Sequence, residues 1–200
     1  MNKITFLLDT GHGIDTAGKR SPKWDDGTQL FEWQFNRQVV SKIISLCSKE
    51  SINTVYITSE DKDIGLKERV ERADRYICAH PKEKCVYVSI HGNGFNNENA
   101  NGIEVWTSPG QTRSDKVAEV FYQEATKLGW RMRSDMSDGD HDKESRFYVL
   151  METVCPAILT ENGFYTNKEE CKKMMSREYQ WKLAQAHVDC FKRVIKENTI

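Results

Sequence analysis

Three short segments place residues able to bind a metal or move a proton beside turn-forming residues. Asp9-Thr10-Gly11-His12-Gly13 closes one apolar run, Ser89-Ile90-His91-Gly92-Asn93 closes a second, and Thr160-Glu161-Asn162-Gly163-Phe164 closes a third. Glycine beside a histidine lets the backbone turn sharply and leaves the imidazole pointing into open space. Two imidazoles and one carboxylate are the donor set of a catalytic zinc site, whose fourth position is left for water. With His12 and His91 as the imidazoles, Glu32 is the favoured carboxylate. It stands at the start of a helical stretch, which gives it a fixed attachment, whereas its competitors Asp25 and Asp26 lie in a Gly- and Lys-rich loop. Glu161, at a strand end of its own, is placed to act as general base on the water at such a metal. Asn93, just past His91, is a candidate for binding substrate or for orienting that histidine.

Each residue also has a plainer reading. A strand-end histidine can simply hydrogen-bond in a core, Glu32 can be a first-turn acid favoured by the helix dipole, and Glu161 can be a buried ion-pair partner. It is the pairing of two glycine-flanked histidines at strand ends that favours the metal. His187, on the apolar side of the last helical stretch, is read as structural, and His80, before Pro81, as exposed. The polar segment from Arg131 to Arg146, with Asp135, Asp138, Asp140, His141 and Asp142 crowded together, reads as a long solvated loop, a kind that often serves function.

Positioning these groups requires a scaffold, and the order of elements predicts one. Apolar runs at Lys3–Asp9, Asn53–Thr58, Cys85–Ile90, Ile103–Thr107 and Ala157–Thr160 read as strands. Glu32–Cys47, Leu66–Ala79, Asp115–Leu128 and Trp181–Ile195 carry apolar residues at helical spacing, and Asn167 with Glu170 forms a capping-box pattern. The alternation predicts an α/β fold: a single domain over residues 1–200 with a mostly parallel or mixed central sheet of about five to six strands, flanked by helices on both faces. In such sheets the reactive groups gather beyond the carboxyl ends of the strands.

Composition removes several function classes. The 29 basic and 30 acidic residues nearly cancel, without a basic stripe that could track a phosphate backbone, so nucleic acid is not expected as a partner. No apolar run approaches the roughly 20 residues that cross a bilayer, so no membrane insertion is expected. The run Ile4–Leu8 is too short for an export signal and lacks a cleavage site, which predicts synthesis in the cytoplasm without a signal peptide. Six cysteines without a CxxC pair read as reduced thiols. There is no G-x-S-x-G elbow and no HExxH, and Thr16 stands where a dinucleotide fingerprint needs its third glycine.

Taken in order, Leu8-Asp9-Thr10-Gly11-His12-Gly13, Glu32 with Asn36, Leu66 and Arg69 with Ala73, Ser89-Ile90-His91-Gly92-Asn93, Gly102-Ile103-Glu104, Val149-Leu150, Pro156-Ala157-Ile158-Leu159 and Glu161-Asn162-Gly163-Phe164 with Asn167 span nearly the whole chain. In this ordered set the sequence resembles the zinc-dependent N-acetylmuramoyl-L-alanine amidases of the cell-division, spore and phage-lysis type. The resemblance implies zinc held by His12, Glu32 and His91, and Glu161 as catalytic acid/base. The bond cut would be the amide between N-acetylmuramic acid and L-alanine in peptidoglycan. Together with the missing export signal, this favours a monomeric phage or prophage lysis enzyme acting on the cell wall over a mature or trimmed chain, and the lack of repeats and Pro/Gly/Ser linkers predicts no separate wall-binding module. The alternatives are a zinc peptidase or amidase acting on another amide, and a non-catalytic wall-binding module. Ser59 and Asp74 depart from the Arg and Asn common in such relatives, and residues 131–146 do not align with the pattern.

Overall fold

The computed structural model describes residues 3–200; Met1 and Asn2, the first two positions of the expected single-domain span, lie outside the described residues. The chain runs β1 (Ile4–Thr10), α1 (Glu32–Lys49), β2 (Asn53–Tyr56), α2 (Leu66–Ala79), β3 (Lys84–Asn93), β4 (Ile103–Thr107), α3 (Arg113–Lys127), β5 (Lys143–Glu144), α4 (Tyr148–Glu152), β6 (Ala157–Phe164), α5 (Lys168–Met175) and α6 (Arg177–Glu197). Six strands form one sheet in the order β2-β1-β3-β6-β4-β5. β2, β1, β3 and β6 are mutually parallel, β4 runs antiparallel to β6, and β5 pairs parallel with β4. The sheet is thus the mixed one that the sequence predicts. Among the described residues no helix is long and apolar enough to cross a membrane.

β1 is buried along its whole length, as a parallel strand covered on both faces must be. Its alternate residues serve two cores. Phe6 and Leu8 join Val86, Val88, Ile158 and the apolar stripes of α1, α3 and α6. Phe6 stacks on Phe191 of α6, with ring centroids 3.9 Å apart. Leu7, Tyr87 and Leu159 face the other way, against Val70 and Ala73 of α2 and Val149 and Leu150 of α4. Because side chains alternate along a strand, Asp9, Ser89, His91 and Glu161 lie on this second face, two or four residues beyond its apolar members.

Several boundaries differ from expectation, each for a local reason. β3 runs on to Asn93 and β6 to Phe164, so His91 and Glu161 lie within strands rather than in the turns after them. The strands continue because β6 still has a partner on each side, with a register shift between His91 and Asn93. α6 begins at Arg177, earlier than Trp181, because the Ser176 hydroxyl accepts from the Tyr179 N–H. Asn167 caps α5 by accepting from the Glu170 N–H, but the carboxylate of Glu170 accepts from Phe164 and Gly102 instead of closing a capping box. A complete box stands at Thr112 and Asp115 of α3. β5 and α4 are too short to leave a periodic signal.

The segment from Arg131 to Arg146 is tied to the sheet: Met132 bridges to Ile103, and Thr107 donates to Asp142 at 2.5 Å. Asp142 is buried, and burial, reinforced by the neighbouring Asp140 carboxyl and opposed by the Thr107 bond, pushes its pKa up to about 7. The folded chain therefore keeps a proton that the unfolded chain has released above the ordinary aspartate value of 3.8. Stability from this group must fall as pH rises through that window, and be lost above about 7. Asp142→Asn keeps an acceptor for Thr107 and removes the charge. Denaturant titrations across the window should show a flatter decline for the variant than for the parent, and parallel declines would refute the assignment.

Candidate metal centre

The site begins where β1 ends. Thr58 holds Thr10 through its hydroxyl, which accepts from the Thr10 N–H at 2.8 Å, and its carbonyl, which accepts from the Thr10 hydroxyl at 3.1 Å. Beyond it, the glycines have a different role from the expected turn. His12 itself takes the left-handed conformation, at φ 62°. Gly11 and Gly13 are required by close approach: a Cβ on Gly11 would sit 2.0 Å from the His91 ring, and one on Gly13 would sit 1.9 Å from the Asp63 nitrogen. The loop is then pinned by α1. Asn36 donates to the Gly11 carbonyl at 2.9 Å and Arg37 to the His12 carbonyl at 2.9 Å.

The same helix brings Glu32 in from its first residue. Glu32 Oε1 lies 3.2 Å from His91 Nδ1 and 3.5 Å from His12 Nε2. The two imidazole rings stand edge to face with centroids 5.2 Å apart, and one ligand atom from each of the three residues lies within 4.8 Å of the others. The structure thus brings His12, Glu32 and His91 together, while Asp25 and Asp26 stay in an exposed loop where Asp26 accepts from Thr28.

Electrostatics prepare the cluster as a set of donors. Burial, opposed by the Glu32 carboxylate, pushes His12 down to about 4, so its ring is neutral and carries a free lone pair near neutral pH. Burial alone would raise Glu32, but the hydrogen bond and charge of His91, followed by the charge of His12, hold it below the ordinary glutamate range. Glu32 is 1% exposed and its Oε2 has no partner. A buried ionised carboxylate with an unpartnered oxygen, facing imidazole nitrogens, is the environment a divalent cation satisfies. Mixed imidazole and carboxylate donors suit zinc, so the residues fit the group.

Glu161 lies one strand over, in register with His91 of β3 and with Glu104 of β4. Its Oε2 is buried without a partner. Burial, then the Glu32 and Glu104 carboxylates, raise its pKa well above the ordinary value. Glu104 is already satisfied by Arg133, Lys143, Trp106 and Asn93. The Asn93 amide nitrogen therefore points at Glu104, 3.0 Å away, and not at the His91 ring. Besides Glu32, that ring is contacted by the Ser89 hydroxyl, which the sequence analysis did not single out although its spacing from His91 puts both on one strand face.

Beside the cluster lies a cavity of about 480 Å³ lined by His12, Lys19, Leu66, His91, Phe147, Tyr148 and Glu161 among others. The acid-rich segment takes no part in it: Asp142 faces Thr107 and His141 pairs with Glu119. His187 is buried between Thr160 and the Leu183 carbonyl, and His80 is exposed, both as expected.

A mixed α/β sheet that gathers two imidazoles, a carboxylate and a second unpartnered carboxyl at one edge defines a protein built around a candidate open metal position. The chain belongs to the N-acetylmuramoyl-L-alanine amidase family, whose sequence pattern matches residues 6–193. It is 31% identical to the uncharacterised Bacillus subtilis protein YqiI over 92% of this chain and 82% of that one. It is 27% identical to the Bacillus subtilis N-acetylmuramoyl-L-alanine amidase LytC over 91% of this chain, but spans only 34% of LytC. The crystal structure of an N-acetylmuramoyl-L-alanine amidase from Clostridium difficile 630 superposes with a TM-score of 0.82 at 30% identity, covering 98% of both chains.

The packing at Gly11 yields a direct test. Gly11→Ala should push the His91 ring out of place and sharply lower the zinc retained per chain after dialysis, read by elemental analysis. Gly65→Ala, whose added methyl meets open space, should leave zinc content unchanged. Full zinc retention by Gly11→Ala would remove His91 from the site.

Proposed function

We propose that the chain is a single catalytic domain that hydrolyses the amide between N-acetylmuramic acid and L-alanine in peptidoglycan, with zinc held by His12, Glu32 and His91 and with Glu161 as general acid/base. The observation that carries this reading is the convergence of the three donor groups within 4.8 Å, beside a carboxyl whose Oε2 has no partner. Family membership supports the choice of bond.

Bound zinc would polarise the scissile carbonyl and lower the pKa of water in the open position from about 15.7 toward roughly 7. The protein's own groups do the rest. Glu161 accepts a proton from the attacking water as its oxygen bonds to the carbonyl carbon. The raised proton affinity of Glu161 then suits it to carry that proton. As the carbon–nitrogen bond breaks, Glu161 delivers the proton to the departing alanine nitrogen, which would otherwise leave as a very poor anion. Lys19, Leu66, Phe147 and Tyr148 line the cavity that would receive the muramoyl-peptide. Asn93, a substrate-contact candidate, acts in this reading by bracing Glu104 behind Glu161. Cutting this amide detaches the peptide cross-links from the glycan strands. Phage or prophage lysis of the cell wall by a monomer is the setting we propose.

Glu161→Gln should keep its zinc and lose at least about 100-fold in the release of stem peptides from purified cell walls, the lower range of a positioned acid/base. Mass spectrometry of the products reads the bond directly: peptides with a free L-alanine amino terminus are expected. Cleavage at any other amide would replace this activity by a zinc peptidase, and near-normal release by Glu161→Gln would sink the role of Glu161. His12→Ala should lose zinc, and an unchanged content would exclude it as a ligand.

A further inference from the structure

We infer that Ser89 is a positioning residue that fixes the ring orientation and tautomer of His91, through a buried chain running from Arg69 by way of Asp9. This deepens the zinc reading above and rests on it for its consequence, though not for its geometry.

Each link follows from donor and acceptor counting. Arg69, on α2, donates to Asp9 Oδ1 at 2.5 Å, and the Thr58 hydroxyl donates to the same oxygen at 3.0 Å. Asp9 is 1% exposed and Arg69 2%. Although burial alone would raise the pKa of Asp9, Arg69 and the hydroxyl donors hold the carboxyl below its ordinary value, so Asp9 can only accept. Ser89 Oγ lies 2.5 Å from Asp9 Oδ2, and a hydroxyl has one proton to give. That proton belongs to Asp9, and the Ser89 oxygen is left as an acceptor.

His91 Nε2 stands 3.1 Å from this oxygen. It must therefore carry the ring proton. The other nitrogen is left to face the donor cluster, and its lone pair is the one a bound cation would use. That nitrogen is Nδ1, the atom 3.2 Å from Glu32 Oε1 and on the side of the donor cluster. Sheet register makes the arrangement possible, since Asp9 and Ser89 are direct cross-strand partners on β1 and β3, and Ser89 and His91 share a strand face. Arg69 extends the chain outward by donating also to the Thr10 carbonyl at 2.6 Å and to Asp63 at 2.8 Å. The metal-facing lone pair of His91 is thus set by a helix that contributes no ligand.

Two measurements test this. In metal-free parent protein, nitrogen-15 spectra of the His91 ring should show a protonated Nε2, the nitrogen that faces the Ser89 oxygen. A bare Nε2, or an equal mixture of bare and protonated Nε2, would overturn the inference whether or not zinc is the physiological metal. Ser89→Ala should bind zinc roughly 10- to 100-fold more weakly in competition with a chelating dye, the usual cost of losing a partner that orients a ligand. Ser89→Thr, which keeps the hydroxyl, should recover most of that loss. A general structural role would instead lower the thermal midpoint and leave zinc affinity and tautomer in place, and unchanged affinity in folded Ser89→Ala would refute the relay. Should Ser89→Ala fail to fold, the parent spectrum still decides. Should the parent bind no zinc while its spectrum agrees, the metal reading fails and the relay stands.

Discussion

The arrangement on which the site depends is a carboxylate buried almost completely between two imidazoles, with one oxygen facing both rings and the other facing nothing. Burying an ionised carboxylate is costly unless its charge and lone pairs are met. Here the rings meet one oxygen, and the second oxygen is orphaned. The other features near β1 can be understood as what holds this arrangement together. α1 begins at Glu32 itself, so the carboxylate sits at the positive end of the helix dipole. One turn later the same helix reaches back through Asn36 and Arg37 to fix the loop that presents His12. The loop in turn passes so close to His91 that only glycine fits at position 11.

The sheet separates the work of stability from the work of chemistry by side-chain parity. On one face, alternate residues of β1, β3 and β6 are apolar and pack beneath α1, α3 and α6. On the other, the apolar members give way toward the strand ends to Asp9, Ser89, His91 and Glu161. A shift of one residue in the pairing of β1 with β3 would turn Ser89 away from Asp9 and His91 into the apolar core. Core packing and ligand geometry are therefore set by the same register.

Much of this could be read from the residues, and the parts that could not have identifiable causes. His12, His91 and Glu161 stood out because titratable groups next to glycine at the ends of apolar runs are conspicuous. Glu32 was found by its helix, although nothing local distinguishes it from any first-turn acid. The role of Gly11 and Gly13 was misjudged, because a demand for close approach comes from chain segments far away in sequence and leaves the same residue behind as a demand for a turn. The Asn93–Glu104 bond has a related cause, since a hydrogen-bond partner two strands away has no sequence signature until the register is known, whereas the Ser89–His91 contact lies within one strand and is legible from their spacing. β5 pairs through two residues and Met132 through a single bridge, too short for any periodicity.

In the proposed reaction the register also accounts for why Glu161, and not Glu104, would be the carboxyl suited to proton transfer. The two stand side by side on β6 and β4, and the Glu104 carboxylate raises the affinity of Glu161 for a proton by like-charge repulsion. What separates them is the distribution of donors. Glu104 accepts from a guanidinium, an ammonium, an indole and an amide. Glu161 Oε2 accepts from nothing, and the Lys19 charge opposes burial and two carboxylates without offsetting them. Four donors meet the lone pairs of Glu104, while its carboxylate, with that of Glu32, adds to burial in raising the proton affinity of Glu161. In the proposed reaction the ion pairs around Glu104 would act through Glu161: Arg133 and Lys143, paired with Glu104 rather than with the reacting groups, would help set how readily that carboxyl takes and returns a proton.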